Sequence, residues 1–227
     1  MTRVAGLTGS TIGKKIVMAL SGVILALFVI AHMLGNLHLF EGAEEINAYG
    51  VFLREVGAPV APHGGLLWAN RIVLLLALVA HVWAWVAVWR KSRDARRQGY
   101  REFDRGGQVF SRISLTMGWA GVFILLFVVY HILHMTTGDA HPEFVPENVY
   151  HNLVTGLSGW PVATVYLLAS LAVGLHLYHG IWSATQTLGL NYPRWERFRR
   201  PASIAIAVIV GLGFALVPLA IATGLVS

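Results

Sequence analysis

Five stretches almost free of Asp, Glu, Lys and Arg punctuate the chain, at roughly 16–40, 67–89, 113–136, 160–188 and 202–225. Each reaches the ~20 apolar residues that an α-helix needs to cross a hydrocarbon core at 1.5 Å per residue. The pattern predicts an all-α integral membrane protein, one transmembrane domain over 1–227 with five spanning helices. Between the first two spans, Pro59, Pro62 and the Gly64–Gly65 pair mark a loop, but Ile46 to Glu55 reads as locally helical, lying on the membrane surface. The first run extends far beyond the 7–15 apolar residues of a signal peptide, so it is expected to stay in the product.

Composition agrees. Of 227 residues, 56% are hydrophobic and 12% charged, against about 25% charged in a soluble domain; mean hydropathy is +0.63. The basic residues sort by side. Arg3, Lys14 and Lys15 precede the first span, eight more lie at 90–112 and four at 194–200, which makes fifteen of the 17. The intervening loops hold Arg54 and Arg71 but seven acids, among them Glu41, Glu44, Glu45, Glu55 and Asp139. The positive-inside rule therefore puts the N-terminus in the cytoplasm and the C-terminus outside. The net charge of +6 is topology and a surface for anionic lipid or a soluble partner, not nucleic-acid affinity.

The chain has no cysteine, which excludes disulfides, thiolate iron–sulfur clusters, Cys-ligated zinc and covalently attached c-type haem. Any metal must lean on the ten histidines. Four of them lie deep in four different spans. Counted from the cytoplasmic helix ends, His32 stands ~26 Å up and His131 ~29 Å, while His81 stands ~14 Å and His176 ~16 Å. Two levels some ~12 Å apart result, each with one imidazole from each of two helices. Such a pair can ligate one iron axially inside a bundle, and apolar surroundings without Cys or carboxylate suit a flat macrocycle. Two haems b follow, held by His32 with His131 and by His81 with His176. His134 and His179, each three residues further along, are alternative ligands; at ~33 Å His134 is close to the outer surface, whereas at ~12 Å His179 fits its level as well as His176 does. Gly22, Gly35, Gly118, Gly121, Gly174 and Gly180 recur near these histidines, where small residues permit close approach. His38, His63, His141 and His151 read as solvated residues of the outer loops.

With those pairs in place, the sequence resembles the single-chain, five-helix, di-haem cytochrome b anchor subunit of succinate dehydrogenase and fumarate reductase, the complex II family. The matching stretches are Gly13-Lys-Lys-Ile-Val-Met-Ala-Leu-Ser-Gly22, His32-Met-Leu-Gly-Asn36, Asn47-Ala-Tyr49, Arg71-Ile-Val73 leading to His81, Ser111-Arg112 leading to Tyr130-His131, His176-x3-Gly180-Ile-Trp-Ser183 and Gln186-Thr-Leu-Gly189. They cover nearly the whole chain. In that family the fourth ligand stands four residues before the Gly of the His-x3-Gly motif, which selects His176 over His179.

The resemblance implies a bacterial cytoplasmic-membrane subunit beside a flavoprotein that handles the dicarboxylate and an iron–sulfur protein, exchanging electrons with a quinone, menaquinone by the subunit type. It makes the basic loop at 90–112 the docking surface for the iron–sulfur subunit, and Arg71 and Arg112 candidate partners of haem propionates. His38, Glu44, Glu45 and Glu55 are the proton-handling candidates at an outer quinone site. Relatives that carry a membrane carboxylate beside the fourth ligand differ from this chain, which has Gly174 and Leu175 there. Two other readings compete. One is the cytochrome b anchor of another quinone-linked enzyme, such as a nitrate reductase, formate dehydrogenase or hydrogenase, against which the spread of single histidines over four helices counts. The other is a haem-free transporter or passive anchor, which would purify colourless.

Overall fold

The structure, a computed structural model, describes residues 9–96, 108–190 and 192–227. Seven α-helices follow one another: α1 (Thr11–Leu37), α2 (Ala43–Glu55), α3 (Gly65–Arg96), α4 (Gln108–Ile132), α5 (Val149–Leu157), α6 (Trp160–Thr187) and α7 (Pro193–Ala222). A 3₁₀ turn, His38–Glu41, follows α1, and a π turn, Leu133–Thr137, follows α4. There is no strand among the described residues. Local chemistry sets several of the ends. Ser10 caps α1 by accepting from the Gly13 N–H at 2.9 Å, Asn148 caps α5 by accepting from the His151 N–H at 3.1 Å, and α6 and α7 each start with a proline in the first turn, where no amide donor is lost.

Five helices are long and apolar enough to cross a membrane, over Thr11–Glu41, Gly65–Asp94, Met117–Thr137, Trp160–Thr187 and Arg197–Ala222. Their outward faces carry large apolar side chains such as Leu76 and Leu126, which are 64% and 65% exposed. A soluble protein does not leave so many uncovered. Aromatic rings paired with arginines gather near the helix ends, with Arg71 over Trp68 at 4.8 Å and Arg93 over Trp89 at 4.9 Å, as in an interfacial belt. Successive spans alternate in direction, so the start of α1 meets the end of α3; there the Lys91 ammonium donates to the Gly9 carbonyl at 3.1 Å.

α1 and α6 form the centre. α1 packs on α3, α6 and α7, and α6 packs on α1, α4 and most extensively on α7. That last contact depends on glycine. A Cβ on Gly174 would stand 3.1 Å from the Ala207 carbonyl oxygen and 3.5 Å from the Gly211 Cα, so the obstacle is backbone that cannot turn aside. Gly174→Val is expected to destabilise the bundle by about 1–3 kcal/mol, the usual cost of overpacking, and to lower its unfolding temperature in detergent. Gly180→Ala, whose Cβ would meet nothing within 4 Å, is the matched control, and equal melting of the two variants would show that the helices are not in contact there.

At the end away from Gly9, α2 and α5 close over the bundle. Asn47 accepts from the Tyr150 N–H at 3.0 Å and donates to Asn148 Oδ1 at 3.4 Å, while Arg54 faces Glu147 at 3.4 Å. Beneath them Leu39, Ile46, Leu157, Val217 and Ile221 make a buried apolar cluster. The helix expected over 46–55 is thus present and longer, whereas α5 falls in a stretch that its composition alone leaves as loop. Arg97, Arg101 and Arg105 of the expected docking loop lie outside the described residues.

Candidate functional site: two facing pairs of histidines

Each histidine pair brings two helices together. The rings of His81 on α3 and His176 on α6 face each other with centroids 6.2 Å apart and planes at 65°. Those of His32 on α1 and His131 on α4 stand 5.8 Å apart at 78°. Neither pair is joined by a direct hydrogen bond.

The first pair shows why the α1 sequence reads Met18-Ala-Leu-Ser-Gly22. The Nδ1 of His81 lies 3.0 Å from the Met18 carbonyl oxygen and 3.4 Å from Ser21 Oγ, and Ser21 itself donates to the Val17 carbonyl at 2.7 Å. A carbonyl only accepts, so Nδ1 of His81 carries the proton and donates. The lone pair of its ring is then on Nε2, free to bind a metal. Gly22 makes the room, since a Cβ there would sit 3.1 Å from His81 Cε1. Gly121 on α4 lies beside His176, but a Cβ there would make only ordinary van der Waals contact with Cε1, at 3.7 Å. His176 Nδ1 is buried with no hydrogen-bond partner in the chain. The Nδ1 atoms of His38, His141 and His179 are buried without a partner as well, so this feature alone does not set His176 apart.

The second pair is set in aromatic rings. Phe28 stacks on His32 at 5.4 Å and Phe127 on His131 at 5.7 Å, each from one helical turn earlier, and Phe214 of α7 approaches His32 at 5.8 Å. His131 Nδ1 is 3.3 Å from the Tyr166 hydroxyl of α6, which lies 2.8 Å from His134 Nδ1.

The two pairs stand at different levels. On α1, His32 is about ten residues beyond Gly22, where His81 packs, and on α4 His131 is about ten residues beyond Gly121, where His176 packs. At 1.5 Å per residue both helices put the levels ~15 Å apart. α1 and α4 therefore each supply a histidine at one level and a glycine at the other.

Do these rings fit an iron between them? Two metal–imidazole bonds of about 2.0–2.1 Å, together with the radius of two rings built from bonds of about 1.33 Å, set collinear centroids about 6.3 Å apart. The 6.2 Å of His81 and His176 is close to that span, whereas the 5.8 Å of His32 and His131 is about 0.5 Å shorter, so that pair would have to part slightly to admit a metal. Among the described residues no three His, Asp or Glu side chains converge as a metal cluster. Two facing imidazoles with apolar surroundings and no carboxylate are a donor set that would suit a planar macrocyclic metal ligand.

The other sequence-derived candidates are placed elsewhere. His134 is buried against Tyr166 and His141, its ring 4.9 Å from the latter, and does not face His32. The ring that meets His81 is His176, not His179. Arg71 is exposed at the end of α3 over Trp68, and the Arg112 side chain lies outside the described residues. His38 stacks on Tyr49 at 4.8 Å and stands 3.4 Å from Glu41, while Glu44, Glu45 and Glu55 are exposed. One expectation is corrected. His141 is buried at 5% exposure rather than solvated, because α5 closes over it and Thr155 bonds its Nε2 at 3.0 Å. Tyr166 and Ser21 are contacts that the sequence did not single out. A lone Tyr in an apolar run, or a Ser that can satisfy itself on its own helix, carries no signal until the neighbouring helix is known.

No family model, no curated protein and no solved structure matches this chain.

Proposed function

We propose that the chain is the membrane-anchor and quinone-reactive cytochrome b of a succinate:quinone oxidoreductase, with haem b between His81 and His176 and a second between His32 and His131. The observation that carries this reading is the facing of single imidazoles from four different helices, in two pairs with ring centroids 5.8 and 6.2 Å apart. Bound there, the haems supply one-electron iron chemistry at two depths in the bilayer. The residues do the rest. Met18 and Ser21 fix the His81 tautomer, Gly22 leaves space beside that ring, and Phe28, Phe127 and Phe214 pack their rings against the other pair.

The basic ends of the helices face the cytoplasm in this reading and receive the iron–sulfur subunit, which in turn carries the flavoprotein; menaquinone reacts near the outer pair. A charge that crosses the whole membrane works with or against the potential at ~2.3 kcal/mol per electron per 100 mV, and the step between the two levels crosses about half of it. Purification of the chain from its native membrane tests the assignment. Co-purifying flavin and iron–sulfur proteins are expected, with the b bands bleached or reduced on adding fumarate or succinate. Reduction by formate or hydrogen, or oxidation by nitrate, with a molybdenum- or nickel-containing partner instead, would move the chain to another quinone-linked enzyme.

A further inference from the structure

The two pairs differ in what holds their Nδ1 atoms. His81 donates to a backbone carbonyl, which no side-chain exchange alters. His131 meets a side chain, Tyr166, whose hydroxyl is shared with a second imidazole. One hydroxyl has one proton to give. The Tyr166 oxygen lies 2.8 Å from His134 Nδ1 and 3.3 Å from His131 Nδ1. With iron on His131 Nε2, as the haem reading has it, Nδ1 of His131 carries the proton and donates to the Tyr166 oxygen, which leaves the Tyr166 proton for His134. Thr155 Oγ1 donates to the His151 carbonyl at 2.8 Å, so it accepts from His141 Nε2 at 3.0 Å, and the His141 ring stands 4.9 Å from His134 in the same buried pocket. A Cβ on Gly156 would meet Cε1 of both rings at 3.0 Å, which shows how closely α5 presses them together.

We infer that Tyr166 is a positioning residue for His131: by accepting from Nδ1 it holds the ring in the tautomer that presents Nε2 to iron, and with His134 it sets the reduction potential of the haem at that level. This rests on the haem reading above. The physical cause is that an acceptor on the far nitrogen makes a ligating imidazole more basic, which favours the oxidised metal. Phe127 meets Tyr166 edge-on at 5.0 Å, a contact that phenylalanine keeps, so Tyr166→Phe removes the hydroxyl and little else. Tyr130 stacks on His134 at 5.2 Å, so His134→Phe likewise preserves the ring packing.

The experiment is a potentiometric titration of the haem bands in the purified complex, with low-temperature electron paramagnetic resonance of the oxidised state. In Tyr166→Phe one haem is expected to rise in potential and change its resonance while the other keeps both. The expected size is about tenfold in its reduction equilibrium, which is about 59 mV for one electron. His134→Phe is expected to move the same haem in the same direction by less, and the double variant to move it no further than Tyr166→Phe, because both act through one hydrogen bond. Unchanged potentials and resonances in both single variants, or equal shifts of both haems, would overturn the role of Tyr166 while leaving the haem assignment standing. A wild-type complex without haem b would overturn both.

Discussion

His81→Ala and His176→Ala will each yield a protein that keeps one b haem per chain and loses the other, and it will be the same haem in both. The expectation follows from the facing of the two rings at 6.2 Å on different helices. Either imidazole alone offers one axial bond, and alanine leaves nothing near enough to replace the missing one, since His179 does not face His81 in the bundle. His32→Ala and His131→Ala lose the second haem by the same reasoning. Combining the two changes within a pair is expected to do no more than either alone, whereas one change from each pair abolishes both haems. Haem content by pyridine haemochromogen, with the split of the reduced bands to say which haem is left, reads all of these. Full haem in His176→Ala with loss in His179→Ala would assign the ligand to the next turn of α6.

Gly22→Leu is expected to reproduce the His81→Ala spectrum without touching a ligand. The first atom of a side chain at Gly22 would already stand 3.1 Å from Cε1 and 3.3 Å from Nδ1 of His81. Leucine adds three more carbons in the space where the ring lies, and His81 must leave the Met18 carbonyl to make way. The ring then loses both its hydrogen bond and its alignment with His176, so the haem at that level is lost while the one between His32 and His131 is retained. Overpacking itself costs about 1–3 kcal/mol, a loss a bundle of this size tolerates with its fold intact. Gly22→Ala tests the same space with one carbon and is expected to lower occupancy only in part. Two full haems in Gly22→Leu would place His81 elsewhere than against α1.

Much of this was legible before any coordinates. Charge-free runs mark the hydrocarbon crossing because burying an ion there is costly, so the five spans and their order follow directly. Their ends do not. α1 begins at Thr11, α3 runs on to Arg96 and α4 begins at Gln108, because a helix continues into the headgroup region, where charged residues such as Lys14 and Arg93 are at no disadvantage. The histidine levels were readable because every helix rises by the same amount per residue. The partners of those histidines were not. Tyr166 reaches His131 only because α4 and α6 pack side by side, and His134 turns to the same hydroxyl through the π turn at Leu133–Thr137. α5 escaped for a different reason. Its nine residues mix polar and apolar types too briefly to show a period, although Asn148 ahead of Val149 is the kind of residue that opens a helix.

The central claim is that the paired imidazoles hold iron porphyrin, and the most direct test is haem stoichiometry. The purified wild-type protein, assayed as pyridine haemochromogen against protein determined by amino-acid analysis, is predicted to contain two haems b per chain, both low-spin. A colourless protein, or one haem that survives each of the four His→Ala changes in turn, would contradict it.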